Sequence, residues 1–123
     1  MNKVQGFYNF FSSFGVPAWE ENSLPTGENA PEFPYITYQV VTSSHIQSAI
    51  FTASLWDRST SWARLENLLE QIKGRVGYYL PLKCDEGTIV LRFGNPEAQN
   101  MGDTSDNLIK RKLLNFSADY ITD

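Results

Sequence analysis

The fold is decided by residues 49–77, which read AIFTASLWDRSTSWARLENLLEQIKGRVG. Phe51, Ala53 and Leu55 recur every second residue, and this period predicts a strand over Ala49–Asp57 with those side chains on its buried face. The spacing then changes to three and four residues, which predicts an amphipathic helix that Ser59 or Thr60 caps and Gly77 ends. Its buried stripe is expected to comprise Trp62, Leu65, Leu69, Ile72 and Val76, with Leu68 beside it.

The flanking segments add one helix and three strands to this pair. Helical spacing of Val4, Phe7, Tyr8, Phe11 and Phe14 predicts a first helix with these residues as its apolar stripe. Four prolines predict an irregular loop over Val16–Pro34. The remaining expectations are strands over Tyr35–Ser43, Thr88–Phe93 and Leu108–Ile121, a short extended piece over Tyr78–Lys83 and a polar loop over Gly94–Asn107. The sequence therefore predicts one α+β domain over residues 1–123. It is a mostly antiparallel sheet of about four strands with two helices packed on one face, in the order helix-strand-strand-helix-strand-strand.

Composition and charge narrow the class of function. The chain has 123 residues, is 41% hydrophobic and 20% charged, and carries a net charge of −4. This acidic balance argues against a dedicated nucleic-acid-binding protein, which needs a basic face. All of the net charge belongs to residues 1–57, which hold one basic and five acidic residues.

The residue types that carry most metal and nucleophile chemistry are scarce. With one cysteine, Cys84, and one histidine, His45, the chain cannot supply the Cys and His ligands of a structural zinc site. His45 falls in a polar hairpin turn, where an exposed histidine is expected rather than a general base. Cys84 precedes two acidic residues, which disfavour a reactive thiolate. We therefore expect no enzyme activity, no metal and no cofactor.

Two further segments resemble ligand-binding sites, but each also has a simpler structural role. Asp103 and Asp106 resemble half of a calcium loop, but no glutamate follows at the required distance, so a solvated turn is favoured. In the last predicted strand, Leu114, Phe116, Ala118 and Tyr120 alternate on the core face, which places Lys110 and Lys112 on that face and Arg111 opposite them. The first half of this strand is therefore expected to run past the core edge or to contain a bulge. Lys110, Arg111 and Lys112 form a basic run that is too short to make a phosphate-binding surface alone. Two other roles are open for these basic residues: they protect a free sheet edge from pairing, or they contact the acidic loop of a neighbouring subunit.

The uncharged window from Phe33 to Trp56 is long enough for a membrane span, but polar residues interrupt it throughout, so no membrane partner is expected. The chain also contains eight Phe, six Tyr and three Trp. Trp19, Tyr35, Phe33 and Phe10 flank predicted loops or lie off the apolar stripe of the first helix. Aromatic residues outside a core are common anchors of protein–protein interfaces. Composition therefore favours an interaction protein.

The order of short motifs resembles the tail terminator (tail completion) proteins of long-tailed bacteriophages and prophages. The motifs that carry this resemblance are Phe33-Pro34-Tyr35-Ile36-Thr37-Tyr38, Ser54-Leu55-Trp56-Asp57-Arg58-Ser59, Gly94-Asn95-Pro96-Glu97-Ala98-Gln99 and the run from Asp103 through Lys110-Arg111. The resemblance spans nearly the whole chain, and none of these motifs is an active-site motif.

The resemblance implies a structural virion protein of the tail or neck, made in the host cytoplasm. Such a protein forms a ring, typically a hexamer, on the major tail tube protein, ends tube polymerisation and joins the head-closure or connector protein. DNA passes through its lumen without specific binding, which suits an acidic chain. Alternatives are a head-closure or other neck protein, or a ferredoxin-like small-molecule-binding regulatory domain. The candidate interface residues are Trp19, Leu24, Phe33, Glu97, Asp103, Asp106, Lys110, Arg111 and Lys112.

Overall fold

The computed structural model describes residues 2–40, 48–85, 87–102 and 105–122. The α-helices are α1, Lys3–Phe11, and α2, Ala63–Val76. The strands are β1, Ala18–Glu20; β2, Tyr35–Tyr38; β3, Ser48–Arg58; β4, Leu80–Cys84; β5, Gly87–Gly102; and β6, Ile109–Thr122. These strands form one sheet in the order β1-β2-β3-β6-β5-β4, which curls into a half-barrel.

The expectation of about four antiparallel strands was wrong. The sheet has six strands and is mixed, because β1 pairs with β2 in parallel while the other four pairs of neighbours are antiparallel. The broader α+β class is confirmed. The chain order also differs from the βαββαβ order of a ferredoxin-like domain, since three strands precede α2 and three follow it.

Strand β1 lies inside the segment that was expected to be an irregular loop. It is only three residues long, too short to show a two-residue period, and a 3-10 turn over Glu21–Ser23 follows it directly. Its position is fixed by pairing with β2, including a hydrogen bond of 2.8 Å from the Ile36 amide to the Pro17 carbonyl. The loop therefore has regular structure at its start because of a distant partner strand.

The second half of β5 was likewise expected to be a loop. Residues 98–102 instead pair with β6 after an irregularity between Phe93 and Ala98. Four of these five residues are exposed, so the sequence shows no alternation of buried and exposed positions. Pairing with the long neighbouring strand, rather than side-chain burial, makes this segment extended.

The core lies between the helices and one face of the sheet, which we call the covered face. Phe51 of β3 and Phe116 of β6 stack there with ring centroids 5.2 Å apart. Phe7 and Phe11 of α1 meet these rings edge-on, at centroid distances of 5.3 and 5.8 Å. Such aromatic contacts add stability beyond the burial of apolar area.

Helix α2 packs on the same face, and its expected stripe is buried except for Trp62, which precedes the helix and is half-buried. Its buried residues are Leu65, Leu68, Leu69, Ile72 and Val76. Arg64 of α2 also reaches the fully buried Asp57 of β3, with its Nε 3.1 Å from Oδ2 and its Nη2 2.5 Å from Oδ1. The predicted placement of both helices on one face is therefore confirmed.

The ends of the helices differ in detail from the expectation. After α1, a 3-10 turn over Ser12–Phe14 leads to Gly15, whose φ of 81° is the left-handed conformation that favours glycine. Helix α2 begins after Trp62, and neither Ser59 nor Thr60 caps it. Ser61 Oγ instead accepts a hydrogen bond of 3.0 Å from the Ala63 amide.

The predicted antiparallel pairing of the two strands around His45 is confirmed, with Ile36 opposite Leu55. His45 itself lies outside the described residues. No helix in the described ranges is long and apolar enough to cross a membrane.

Candidate functional site

The opposite face of the sheet, which we call the open face, carries neither helix and holds a line of aromatic side chains. Strand register places Tyr35 of β2, Trp56 of β3 and Arg111 of β6 side by side across it. The Arg111 guanidinium lies 4.9 Å from the Trp56 ring centroid, and Trp56 stacks on Tyr35 at 6.1 Å and 19°. Phe33 extends the line with its ring 5.2 Å from that of Tyr35. We call Phe33, Tyr35, Trp56 and Arg111 the aromatic row.

Hydrogen bonds to the neighbouring line of residues fix the orientation of the aromatic row. Trp56 Nε1 donates to Thr37 Oγ1 over 2.9 Å, and Arg111 Nε donates to Ser54 Oγ over 2.9 Å. Both hydroxyl residues are buried, so these bonds are shielded from competing water. The aromatic row is consequently preorganised, and little side-chain entropy is lost when a partner binds it.

The guanidinium of Arg111 is not neutralised within the described part of the chain. Only its Nε has an acceptor, and no described carboxylate lies within ion-pair distance of it. The other two arginines on this face differ, because Arg58 pairs with Asp106 at 3.0 Å and Arg92 pairs with Asp119 at 2.9 Å. Arg111 therefore presents terminal nitrogens that suit a carboxylate or phosphate.

Trp19, beside the aromatic row, and Tyr35, within it, carry polar groups in distinctive environments. The register of β1 places Trp19 next to Thr37 on the open face, and its Nε1 is buried without an acceptor among the described residues. An unsatisfied buried donor of this kind costs free energy. Burial also raises the pKa of the Tyr35 hydroxyl, which keeps it protonated and able to donate a hydrogen bond.

The three residues of the basic run differ in burial and in face, although the ammonium groups of Lys110 and Lys112 both lie over the Trp62 ring, at 5.6 and 5.4 Å from its centroid. The predicted alternation is confirmed, since Arg111 lies on the open face and Lys110 and Lys112 point to the other side of β6. Lys112 is only 4% exposed, and its Nζ lies 2.5 Å from Glu66 Oε1 and 2.6 Å from Asn100 Oδ1. Lys110 is half-buried, with its Nζ 3.4 Å from the Asn107 carbonyl.

This placement corrects the explanations offered for the basic run. Strand β6 is not a free edge, because β3 and β5 flank it. Both backbone edges of β6 are thus occupied, and a neighbouring subunit cannot pair with it there. The strand also neither overruns the core nor contains the expected bulge, since the irregularity lies on β5. Lys112 tolerates burial because Glu66 and Asn100 satisfy its ammonium group.

The acidic and apolar interface candidates are scattered over the surface. Glu97 is exposed and lies 3.6 Å from Lys73 of α2, while Asp106 accepts a hydrogen bond from Arg58. Leu24 is half-buried after the 3-10 turn over Glu21–Ser23, and Asp103 lies outside the described residues. Of the nine candidates, only Phe33 and Arg111 belong to the aromatic row, with Trp19 one strand away.

Cys84 and two grooves beside α2 are further features of the described surface. No group of three His, Cys, Asp or Glu side chains in the described ranges could hold a metal ion. Cys84 is half-buried with its Sγ 3.6 Å from the Leu82 carbonyl. Two grooves, of about 490 and 550 Å³, flank Lys73 and Glu97 between α2 and β5, and the ion pair of those two residues crosses them.

Sequence reasoning named Phe33, Tyr35 and Arg111 but did not place Trp56 with them. The two-residue alternation placed Trp56 on the outer face of its strand and Arg111 on the face opposite the lysines. This face assignment was the sequence signal that could have brought the two residues together. Their contact depends on the register of β3 against β6, which neither local pattern contains. No family model matches the chain, and no curated protein is significantly similar to it.

Proposed function

We propose that this protein is a structural assembly subunit that forms a hexameric ring on the tail tube of a long-tailed bacteriophage, ends tube polymerisation and provides the head-joining surface. The observation that carries this proposal is the aromatic row on the open face, because Trp, Tyr and Arg are the side chains that dominate protein–protein interfaces. The phage context comes from the resemblance of the motifs, two of which contribute Phe33, Tyr35 and Trp56 to this row.

Other features support an assembly role. The chain is acidic, so a ring lumen would not retain DNA by attracting its phosphates. The proposed partners are other copies of the chain, the major tail tube protein and the head-closure or connector protein, and the location is the neck of the virion. No specific observation favours the regulatory domain, whose βαββαβ order this chain lacks.

The proposal is tested by adding the purified protein to polymerising tail tube protein. We expect a hexamer by native mass spectrometry, tubes that stop growing, and rings at tube ends in electron micrographs. A Tyr78→Ser variant is the control, because Tyr78 is fully exposed and lies away from the aromatic row, and it should act like the parent. A monomer that leaves tube length unchanged would contradict the proposal. A ring that binds only the head connector would indicate a head-closure protein instead.

A further inference from the structure

The guanidinium of Arg111 has no carboxylate partner among the described residues and is open to a carboxylate of another molecule. The aromatic row holds this guanidinium in one orientation, and its terminal nitrogens have no acceptor in the described ranges. Nucleic acid is a poor occupant, because Arg58 and Arg92 on the same face are already paired with Asp106 and Asp119 and the chain is acidic overall. The chemistry therefore favours an acidic peptide segment.

The chain itself contains a segment of that chemistry at residues 24–32, which precedes Phe33 and shares no residue with the aromatic row. Glu28 and Glu32 are exposed and have no cationic partner in the described part of the chain. They differ from Glu20, whose carboxylate accepts hydrogen bonds from Asn22 and Ser23. Pro25 and Pro31 restrict this backbone, so docking costs less conformational entropy.

We infer that the acidic segment around Glu28 and Glu32 of one subunit docks on the aromatic row of the next subunit, with its carboxylates bound to Arg111. This inference rests on the proposed ring and names the contact that closes it. The segment and the row are different surfaces of the chain, so the contact is heterologous, which is the type that generates rings. Prolines supply apolar surface against the aromatic rings, as in other proline-rich segments bound in aromatic grooves.

The test is a charge exchange between the two surfaces. One variant carries Arg111→Glu, and the other carries Glu28→Arg with Glu32→Arg. Each alone should weaken ring formation by about tenfold or more in dilution series at low salt, as expected when a central interface arginine loses its partner. Lys83→Glu is the control, because Lys83 is exposed on an edge strand outside the row and should leave the ring intact.

Mixing the two defective variants should restore the ring. In an alternating ring, the carboxylate introduced by Arg111→Glu in one chain meets the basic segment of the other, while the original Arg111 meets the original acidic segment. A contact within one chain cannot be rescued in this way. The triple variant, which carries both changes in one chain, should also assemble. It tests the contact in a ring with an odd number of subunits, where two variants cannot alternate. Melting temperatures of the dilute variants check folding, and the milder Arg111→Gln serves if Arg111→Glu does not fold.

The outcomes separate this inference from the proposed function. If the Arg111→Glu variant forms a ring as tightly as the parent chain in the dilution series, the inference is overturned. The proposed ring itself would still stand. Two weakened variants that neither the mixture nor the triple variant restores would also overturn it. A parent chain that stays monomeric would overturn both.

Discussion

Reversing the charge of Lys112 should unfold the subunit far more readily than reversing that of Lys110, although the two lie two residues apart on the same side of β6. Lys112 is 4% exposed and is held between Glu66 and Asn100, whereas Lys110 is half-buried and its ammonium group contacts the Asn107 carbonyl over 3.4 Å. In Lys112→Glu, a buried carboxylate would face Glu66 without a counter-charge.

The magnitude follows from this burial. Breaking a buried ion pair costs roughly 3–5 kcal/mol. The Glu66 side chain is 50% exposed and keeps part of its hydration, so the lower end, about 3 kcal/mol, applies to Lys112→Glu. This corresponds to a fall in melting temperature of roughly 10 °C or more. Lys110→Glu should lower the free energy of unfolding by only about 0.5–1 kcal/mol, because it removes a weak contact between the ammonium group and the Trp62 ring.

Lys112→Met is the matched control, because it keeps the aliphatic stem and removes the charge. Glu66 and Asn100 can then turn to water, so stability should stay within about 1 kcal/mol of the parent. Urea unfolding of dilute protein measures all three variants. The reasoning from burial would be refuted if both charge reversals lowered the free energy of unfolding equally, or if Lys112→Glu lowered it by less than about 1 kcal/mol.

Three further outcomes follow from the structure. Leu69→Ala, in the buried stripe of α2, should lower the free energy of unfolding by about 2–3 kcal/mol in urea titrations, and a loss within error would show that the stripe is not enclosed. Burial raises the pKa of Tyr38 from 10.0 to about 12, so the folded state favours the neutral phenol. The resulting stability is complete below pH 10 and is lost as the pH rises through 12, and Tyr38→Phe should reduce that alkaline loss in unfolding titrations. A glutamate-specific protease should cut the free subunit early at the exposed Glu28, and the assembled ring should resist, whereas equal cutting of both forms would argue against docking of this segment.

Elements with a strong internal pattern were predictable from the sequence alone. The periods of α2, β3 and β6 reflect which side of each element is buried, and local spacing records this directly. The stripe expected in α1 was only partly right, because Val4 and Tyr8 are exposed and Phe10 is buried. The same alternation correctly separated Arg111 from Lys110 and Lys112. By contrast, β1 and the second half of β5 were missed, because backbone pairing with neighbouring strands holds them rather than side-chain burial.

The candidate site depended on the tertiary structure. The sequence indicated an interaction surface with outlying aromatic residues and a basic run. It could not show that Arg111 has no counter-charge in the described ranges while Lys112 is buried and paired. Strand register brings Trp56 beside Arg111, and the packing of α2 brings Glu66 to Lys112. A residue's own segment specifies which face it occupies, whereas the order and register of the strands specify which distant residues share that face.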